Sequence, residues 1–300
     1  MRARASWRDP VLGTPRILEL PQGRMRYYDV GEGEPLFFVH GGFVNANLWR
    51  KVVPLLAGDF RCVVPDLPFG SHTIPMPAAD LSSADGLVDL VTGAIDALDL
   101  DRVTLVGMDT GGAICQFVVT RRPERIARLV LTSCDYRDNF PPRMFTHLKL
   151  MARMPDRLQT ALFTPMRLSA PRRLPFAFGW LAHTHDRAAE DTWVLPALED
   201  RAVLADTKRM LRLFDRELLN RTADLLGTFD GPALVAWSAD DKVFPVADGR
   251  RLAAELGNGR FELIEGARTF SMEDQPERLA AAIAVFMAET SRAAPVRQSA

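Results

Sequence analysis

An aspartate stands at position 109, in the run GMDTGG of residues 107–112. Residues 103–106 are typical of a buried strand and residues 113–119 of a helix, so the chain must reverse direction within a few residues. The glycines make such a sharp turn possible. A carboxylate held there can act as a nucleophile or as an acid and base. The simpler interpretation is a helix-capping aspartate in an ordinary turn.

The elements that position Asp109 form an alternation of short apolar runs and longer helical stretches, which predicts an α/β fold with a mostly parallel sheet. Continuous β-branched and leucine-rich runs are typical of central strands covered by helices on both faces. Eight strands are predicted: residues 17–20, 25–30, 36–39, 61–64, 103–106, 129–132, 233–237 and 261–264.

A helical cap is predicted at residues 137–226, between the sixth and seventh strands. Strand-like runs are replaced there by Met, Leu, Phe and Arg at helical spacing, and prolines punctuate the pattern. We therefore predict a core made of residues 1–136 and 227–290, with a flexible tail at 291–300. A lid in this place can cover the carboxyl ends of the strands, where ligands bind in open α/β sheets.

The turn at Asp109 resembles the nucleophile elbow of the α/β-hydrolase superfamily. A second point of resemblance is the run His40-Gly41-Gly42-Phe43 after the third strand. An aspartate at the elbow is similar to the haloalkane dehalogenase and epoxide hydrolase branch, in which it attacks carbon and forms an ester that water hydrolyses. The backbone N–H groups of Thr110 and of Gly42 or Phe43 would then stabilise an oxyanion or halide. His40 is expected to shape this loop.

The same resemblance implies where the partner residues lie. Asp241, in the loop after the seventh strand, matches the charge-relay acid of the family, and Asp135 after the sixth strand matches its alternative position. The loop after the eighth strand resembles the one that carries the catalytic histidine, but Thr269 occupies that position. No histidine follows His185, so a shift of register does not restore one.

A threonine hydroxyl does not titrate near neutral pH and is a poor base. Candidate substitutes are His72, on the loop after the fourth strand, and the cap histidines at 147, 183 and 185. We predict His72 as the substitute, with a surface histidine of no catalytic role as the alternative. If Asp109, Asp241 and Asp135 converge, like-charge repulsion favours the protonation of one of them. A protonated and an ionised carboxyl together can perform acid/base chemistry.

Three functions remain open from the sequence. One is a hydrolase acting on a small apolar substrate, with Asp109 as nucleophile and a non-standard base. Against a dehalogenase, Thr110 stands where a halide-binding tryptophan is common; against an epoxide hydrolase, the three tyrosines lie outside the main cap. The others are a non-hydrolytic lyase, cyclase or isomerase that uses Asp109 and Asp241, and an inactive ligand-binding homologue.

The composition points to a small-molecule partner. The 37 Lys and Arg residues nearly cancel the 38 Asp and Glu residues, so the net charge of −1 favours neither nucleic acid nor a membrane surface. No apolar run reaches the roughly 18 residues of a membrane span. The three cysteines have no metal-ligand spacing, and no motif indicates a cofactor. We expect a cytoplasmic, cofactor-independent monomer or homodimer.

Overall fold

A computed structural model describes residues 2–292, which contain an eight-stranded sheet in the order β1-β2-β4-β3-β5-β6-β7-β8. The second strand is antiparallel to both of its neighbours, and all other neighbouring pairs are parallel. This confirms the predicted fold class and all eight predicted strands, whose ends lie up to three residues beyond the predicted ones. The strands are β1 (Arg16–Leu20), β2 (Gly23–Val30), β3 (Glu34–Val39), β4 (Phe60–Pro65), β5 (Val103–Met108), β6 (Ile126–Cys134), β7 (Ala233–Ser238) and β8 (Gly259–Ile264).

Helices outside the insertion cover both faces of this sheet and form two hydrophobic clusters. Every residue of β5 and of β7 is buried, which explains why both strands are continuous apolar runs rather than alternating ones. These helices are α1 (Arg2–Ser6), α2 (Val53–Leu56), α3 (Ala84–Ala97), α4 (Asp109–Arg121), α11 (Val246–Glu255), α12 (Ser271–Asp274) and α13 (Pro276–Arg292). The rest of the predicted tail at 291–300 lies outside the described residues.

The chain between β6 and β7 folds into helices. Aspartates begin three of them, because the side chains of Asp186, Asp200 and Asp215 accept hydrogen bonds from first-turn N–H groups. The α-helices are α5 (His147–Met151), α6 (Asp156–Phe163), α7 (Ser169–Arg172), α8 (Arg187–Glu199), α9 (Arg201–Met210) and α10 (Arg216–Ala223). The division of the chain at residues 136 and 227 stays a prediction.

Hydrogen bonds and ion pairs hold α8 against the segment of chain that follows β3. Asn45 donates through Nδ2 to the Thr192 carbonyl oxygen at 3.1 Å. Arg50 pairs with Asp186 at 3.0 Å and also with Glu273. These contacts fix the helical segment above the carboxyl ends of the strands. Within residues 2–292, no helix is long and apolar enough to cross a lipid bilayer.

Candidate functional site

Asp109 lies at the junction of β5 and α4 with a φ of +49°, in the left-handed region that non-glycine residues seldom adopt. Such a conformation costs about 1–3 kcal/mol and persists only where surrounding contacts enforce it. Close packing supplies that enforcement. A Cβ on Gly111 would overlap the Val39 carbonyl oxygen, and one on Gly112 would overlap the Cys134 side chain. The two glycines therefore let α4 begin directly against its neighbouring strands.

Two backbone N–H groups bind the Asp109 carboxylate. Its Oδ2 accepts a hydrogen bond from the Gly42 N–H at 3.1 Å, and the Thr110 N–H also donates to this carboxyl group. Gly41 makes the approach possible, because a Cβ there would overlap Oδ2. The arrangement is that of a two-donor oxyanion site at a helix N-terminus.

Phe43 is not the second donor, although the sequence left Gly42 and Phe43 as alternatives. The Phe43 N–H donates to the Phe69 carbonyl oxygen at 2.8 Å, and Phe43 itself has a φ of +58°. Because its N–H is used in this way, Phe43 is not an oxyanion donor. Gly42 is the residue of this loop whose N–H contacts the Asp109 carboxyl. The Phe43 side chain instead lines the cavity described below.

His40 is fully buried, and both of its ring nitrogens contact the chain beside the Gly41-Gly42 loop. Nε2 accepts from the Leu67 N–H at 2.9 Å, which leaves Nδ1 to donate to the Gly41 carbonyl oxygen at 2.9 Å. Burial lowers the pKa of His40 to about 4, so the ring is neutral at physiological pH. Its contacts hold the loop and leave no nitrogen free for proton transfer.

Thr269 and Asp241 lie together. Asp241 Oδ1 accepts from the Thr269 hydroxyl at 2.9 Å and from the N–H groups of Val243 and Phe244, both at 2.8 Å. Its Oδ2 is buried and has no well-formed hydrogen bond among the described residues, and the Ser133 side chain is close enough to lower the pKa of this carboxyl. Thr269 thus stands beside the candidate relay acid, as the family resemblance implies, and presents a hydroxyl in place of an imidazole.

Asp135 is completely buried where β6 ends, and its backbone N–H reaches the Asp109 carbonyl oxygen at 3.4 Å. Within residues 2–292, neither of its carboxyl oxygens has a well-formed hydrogen bond. Burial raises the pKa of Asp135 well above its usual range, the Asp109 charge raises it further, and the Thr110 side chain opposes the shift only in part. Burial therefore favours the protonated form of Asp135.

The three carboxyl groups are buried, and within the described part of the chain no cation is seen to stabilise their charged forms. Burial raises the pKa of Asp109 to about 7; the N–H groups of Thr110 and Gly42 oppose this shift, and the nearby Asp241 adds to it. Burial also raises the pKa of Asp241, against the donors at its Oδ1. Since like charges this close disfavour joint ionisation, the group retains protons near neutral pH.

Asp109 lies at the floor of a cavity of about 800 Å³ beneath the helical segment. The walls are mostly aliphatic and aromatic, which suits an apolar organic ligand. Asp109 and His147 are the lining residues that can titrate, and Gln159, Thr160, Thr110 and Thr207 add polar groups. Main apolar lining residues are Phe43, Met144, Phe145, Leu148, Met151, Leu162, Phe163, Met166, Leu174, Phe176, Phe178, Leu181, Trp193, Leu198, Leu204 and Phe214.

The structure does not bring the predicted His72 to this cavity. His72 is buried beside α9, where its Nε2 lies 3.1 Å from Asp206 Oδ2. That carboxylate also accepts from the Met76 N–H at 2.7 Å, so the ring belongs to a polar cluster that anchors α9. The physical reason for the difference is this long-range pairing with a helix of the insertion.

Of the cap histidines, only His147 lines the cavity within the described chain. Its Nδ1 donates to the Met144 carbonyl oxygen at 3.0 Å, within its own turn of chain. His183 lies 3.4 Å from Asp240 and His185 lies 3.0 Å from Glu190, both away from the lining.

Two lining side chains carry polar atoms without a partner among the described residues, and no polar role was predicted for either from the sequence. Trp193 is 4% exposed, and its Nε1–H makes no hydrogen bond with the described residues. Gln159 is 2% exposed, and its Oε1 is likewise unpartnered. Trp193 lies in a helical pattern of apolar residues, and that pattern predicts only that the side chain is buried. The sequence therefore does not indicate that its indole N–H lacks an acceptor.

Comparison with known proteins adds independent information. The sequence profile of the alpha/beta hydrolase fold matches residues 34–276. Haloalkane dehalogenase 2 of Mycobacterium tuberculosis (strain H37Rv) is 29% identical over 277 residues, which are 89% of this chain and 93% of the dehalogenase. A 2-hydroxy-6-oxononadienedioate/2-hydroxy-6-oxononatrienedioate hydrolase of Paraburkholderia xenovorans is 24% identical, with 92% of this chain and 96% of that protein covered.

Among solved structures, the epoxide hydrolase CorEH matches with a TM-score of 0.76 and 20% identity, covering 92% of this chain and 99% of that one. At this identity the likeness concerns the fold. The similar proteins are hydrolases of several types. Since the matching profile spans most of the chain and the sheet has the expected order, the chain belongs to the α/β-hydrolase fold family.

Proposed function

We propose that this protein is a hydrolase in which Asp109 attacks an electrophilic carbon of a small, largely apolar organic substrate. The observation that carries the proposal is the position of Asp109: its carboxylate is bound by the Gly42 and Thr110 N–H groups at the floor of the apolar cavity. An alkyl halide, an epoxide or an ester supplies the electrophile. Attack by a carboxylate oxygen on the carbon of a halide or an epoxide forms an ester, whereas attack on the carbonyl carbon of an ester forms a mixed anhydride. In each case the electron pair of the broken bond leaves with the halide or the oxygen.

The oxyanion site serves the second step. When water adds to the ester carbonyl, negative charge develops on the oxygen that already faces the Gly42 and Thr110 N–H groups. Collapse of that intermediate returns the Asp109 carboxylate and releases the alcohol. Because the donors are fixed backbone groups, little reorganisation is needed when the charge develops.

Thr269 supplies no imidazole beside Asp241, so this step needs another base. Asp241 is our candidate, because it is buried beside Asp109 and its Oδ1 accepts a hydrogen bond from the Thr269 hydroxyl at 2.9 Å. A carboxylate is a weaker base than a neutral imidazole at neutral pH unless its pKa is raised, and burial raises that of Asp241. We expect ester formation to be faster than ester hydrolysis, so that the covalent intermediate accumulates.

Trp193 fits the leaving group. Its indole N–H is a buried donor without a partner, on a side chain that lines the same cavity, and such a donor assists the departure of a halide or alkoxide. None of the three tyrosines lines the cavity in the described part of the chain. In this proposal Trp193 is the leaving-group donor. It takes the place of the tryptophan that the family resemblance implies at position 110 and of the tyrosines that it implies in the cap.

Intact-protein mass spectrometry tests the proposal with a panel of primary alkyl halides, terminal epoxides and activated esters. We expect one adduct per chain, mapped by peptide analysis to Asp109. Asp109→Asn keeps the side-chain size and an amide oxygen for the two N–H donors, and it should form no adduct. Asp241→Asn is the matched control, which should still form the adduct but release it more slowly. A panel without any adduct contradicts the nucleophile assignment.

A second function is favoured by the protonation states. Asp109, with a pKa of about 7, can exchange a proton with a substrate, and burial favours the protonated form of the nearby Asp135. The pair would support isomerisation, elimination or cyclisation without a covalent step. Turnover in water labelled with ¹⁸O separates the functions, because the hydrolase incorporates the label into product and the acid/base enzyme does not.

A further inference from the structure

The insertion exposes seven large apolar side chains, three of which also line the cavity. We name them the apolar rim. Its members are Leu150, Leu158, Leu162, Leu168, Leu174, Phe176 and Trp180, each more than 40% exposed. Leu162, Leu174 and Phe176 also line the cavity, so the exposed apolar surface continues into its interior. Apolar patches of this kind mark interaction surfaces in soluble proteins.

The segment that carries the rim is strongly basic. Residues 141–180 contain seven Lys and Arg residues and one acidic residue, Asp156, which gives a net charge of +6 in a chain whose total is −1. Lys208 pairs with Asp156 at 2.7 Å. Three of the seven cations pair with acids of α8, so the unpaired charge of the segment comes from the other four; the three pairs are Arg167–Glu199, Arg172–Asp191 and Arg173–Glu190. The expectation of no membrane partner rested on the total charge of the chain. That total hides the basic segment, because the other residues are acidic on balance.

Four of these basic side chains are exposed and free of ion pairs within residues 2–292: Arg143, Lys149, Arg153 and Arg157. They stand next to rim leucines in the sequence, since Lys149 precedes Leu150 and Arg157 precedes Leu158. Leu158 and Leu162 lie four residues apart on α6 and share one face of that helix. Apolar side chains flanked by unpaired cations are the combination that binds interfacially to anionic lipid.

We propose that the apolar rim docks on the surface of an anionic phospholipid bilayer, with the rim side chains in the interfacial layer and the four cations against lipid phosphates. The charge argues against a second copy of the chain as the occupant. A two-fold symmetric contact would bring the same cations against each other, and Asp156, the one acid of this segment, is already paired with Lys208. The docked cavity mouth would open into the bilayer, from which apolar molecules could enter without crossing water.

Vesicle flotation tests the docking directly, with the full chain and vesicles of phosphatidylcholine alone or mixed with phosphatidylglycerol. We expect binding only to the mixed vesicles, and weakening as salt rises. Lys149→Gln with Arg157→Gln should reduce partitioning by about 30-fold, because each cation near such a surface contributes roughly fivefold. Leu150→Gln with Leu158→Gln should reduce it by at least about tenfold, since two leucines lose their burial. Neither pair lines the cavity.

Matched controls exclude general effects of the substitutions. Leu55→Gln removes an equally exposed leucine on α2, and Arg278→Gln removes an exposed arginine on α13; both should bind like the unmodified chain. Asp109→Asn should also bind fully, because docking does not use that carboxyl. Absence of binding to the mixed vesicles at low salt overturns the proposal, as does equal loss in the rim and control variants. A concentration-dependent dimer that the leucine pair abolishes, without vesicle binding, overturns it in favour of self-association.

Discussion

Alkylation of Asp109 should depend steeply on pH, because only the ionised carboxyl is a nucleophile. Burial raises its pKa from 3.8 to about 7. The ionised fraction is then about 1% at pH 5 and about 90% at pH 8, which predicts a roughly 90-fold rise in the rate of adduct formation. A carboxyl with an ordinary pKa would already be about 94% ionised at pH 5 and would give a flat profile.

Single-turnover kinetics measure this rate. The protein is mixed with excess primary alkyl bromide at a series of pH values, and the adduct fraction is followed by intact-protein mass spectrometry. An uncharged reagent avoids titration of the substrate, and Asp109→Asn measured in parallel gives the background. Circular dichroism at each pH confirms that the chain remains folded. A rate that changes less than about threefold between pH 5 and pH 8 would refute the argument that burial, rather than the two N–H donors, controls this carboxyl.

Substitutions at four positions give further predictions. Asp109→Asn should stabilise the chain relative to the unmodified protein, increasingly as the pH rises from about 4 to 7. The gain should reach at most about 4 kcal/mol, because cavity water moderates the cost of ionising Asp109. An equal Tm difference between the two proteins at about pH 4 and pH 7 contradicts this prediction. Thr269→His should speed release of the Asp109 ester by about 10²–10⁴-fold, as a base does, whereas Thr269→Val should not, and decay of the adduct mass measures both. Trp193→Phe should slow adduct formation about tenfold to hundredfold, and an unchanged rate removes Trp193 from the leaving-group site. Gln159→Leu should stabilise the empty protein by about 1 kcal/mol, seen as a higher urea midpoint at unchanged slope, because an unpaired buried oxygen is lost.

The sheet was predictable because its signal is local. A strand such as β5 is apolar throughout since both of its faces are covered, and that pattern is visible in a short window of sequence. The turn at Asp109 was predictable for a related reason. Close packing admits only glycine at positions 111 and 112, and both glycines can be recognised in the local sequence.

Other features of the site depend on contacts between distant residues. The choice between Gly42 and Phe43 was fixed by the Phe69 carbonyl oxygen, which takes the Phe43 N–H. His72 has the residue type of a base, but its partner Asp206 is 134 positions away on a helix whose docking no local pattern reveals. Burial of a polar atom without a partner, as at Trp193, is equally a property of the folded chain.

Thr269 changes the electrostatics of the site as well as its supply of bases. An imidazolium beside Asp241 would offset the negative charge that now raises the pKa of Asp109, whereas the Thr269 hydroxyl donates one hydrogen bond and carries no charge. Restoring histidine at position 269 should therefore do two things at once: speed ester release and move the midpoint of the alkylation profile to lower pH. If release is faster but the midpoint stays near 7, burial alone sets the Asp109 pKa. If the midpoint falls, the interaction with Asp241 contributes, and the slow second step and the protonated nucleophile have one common origin in the threonine.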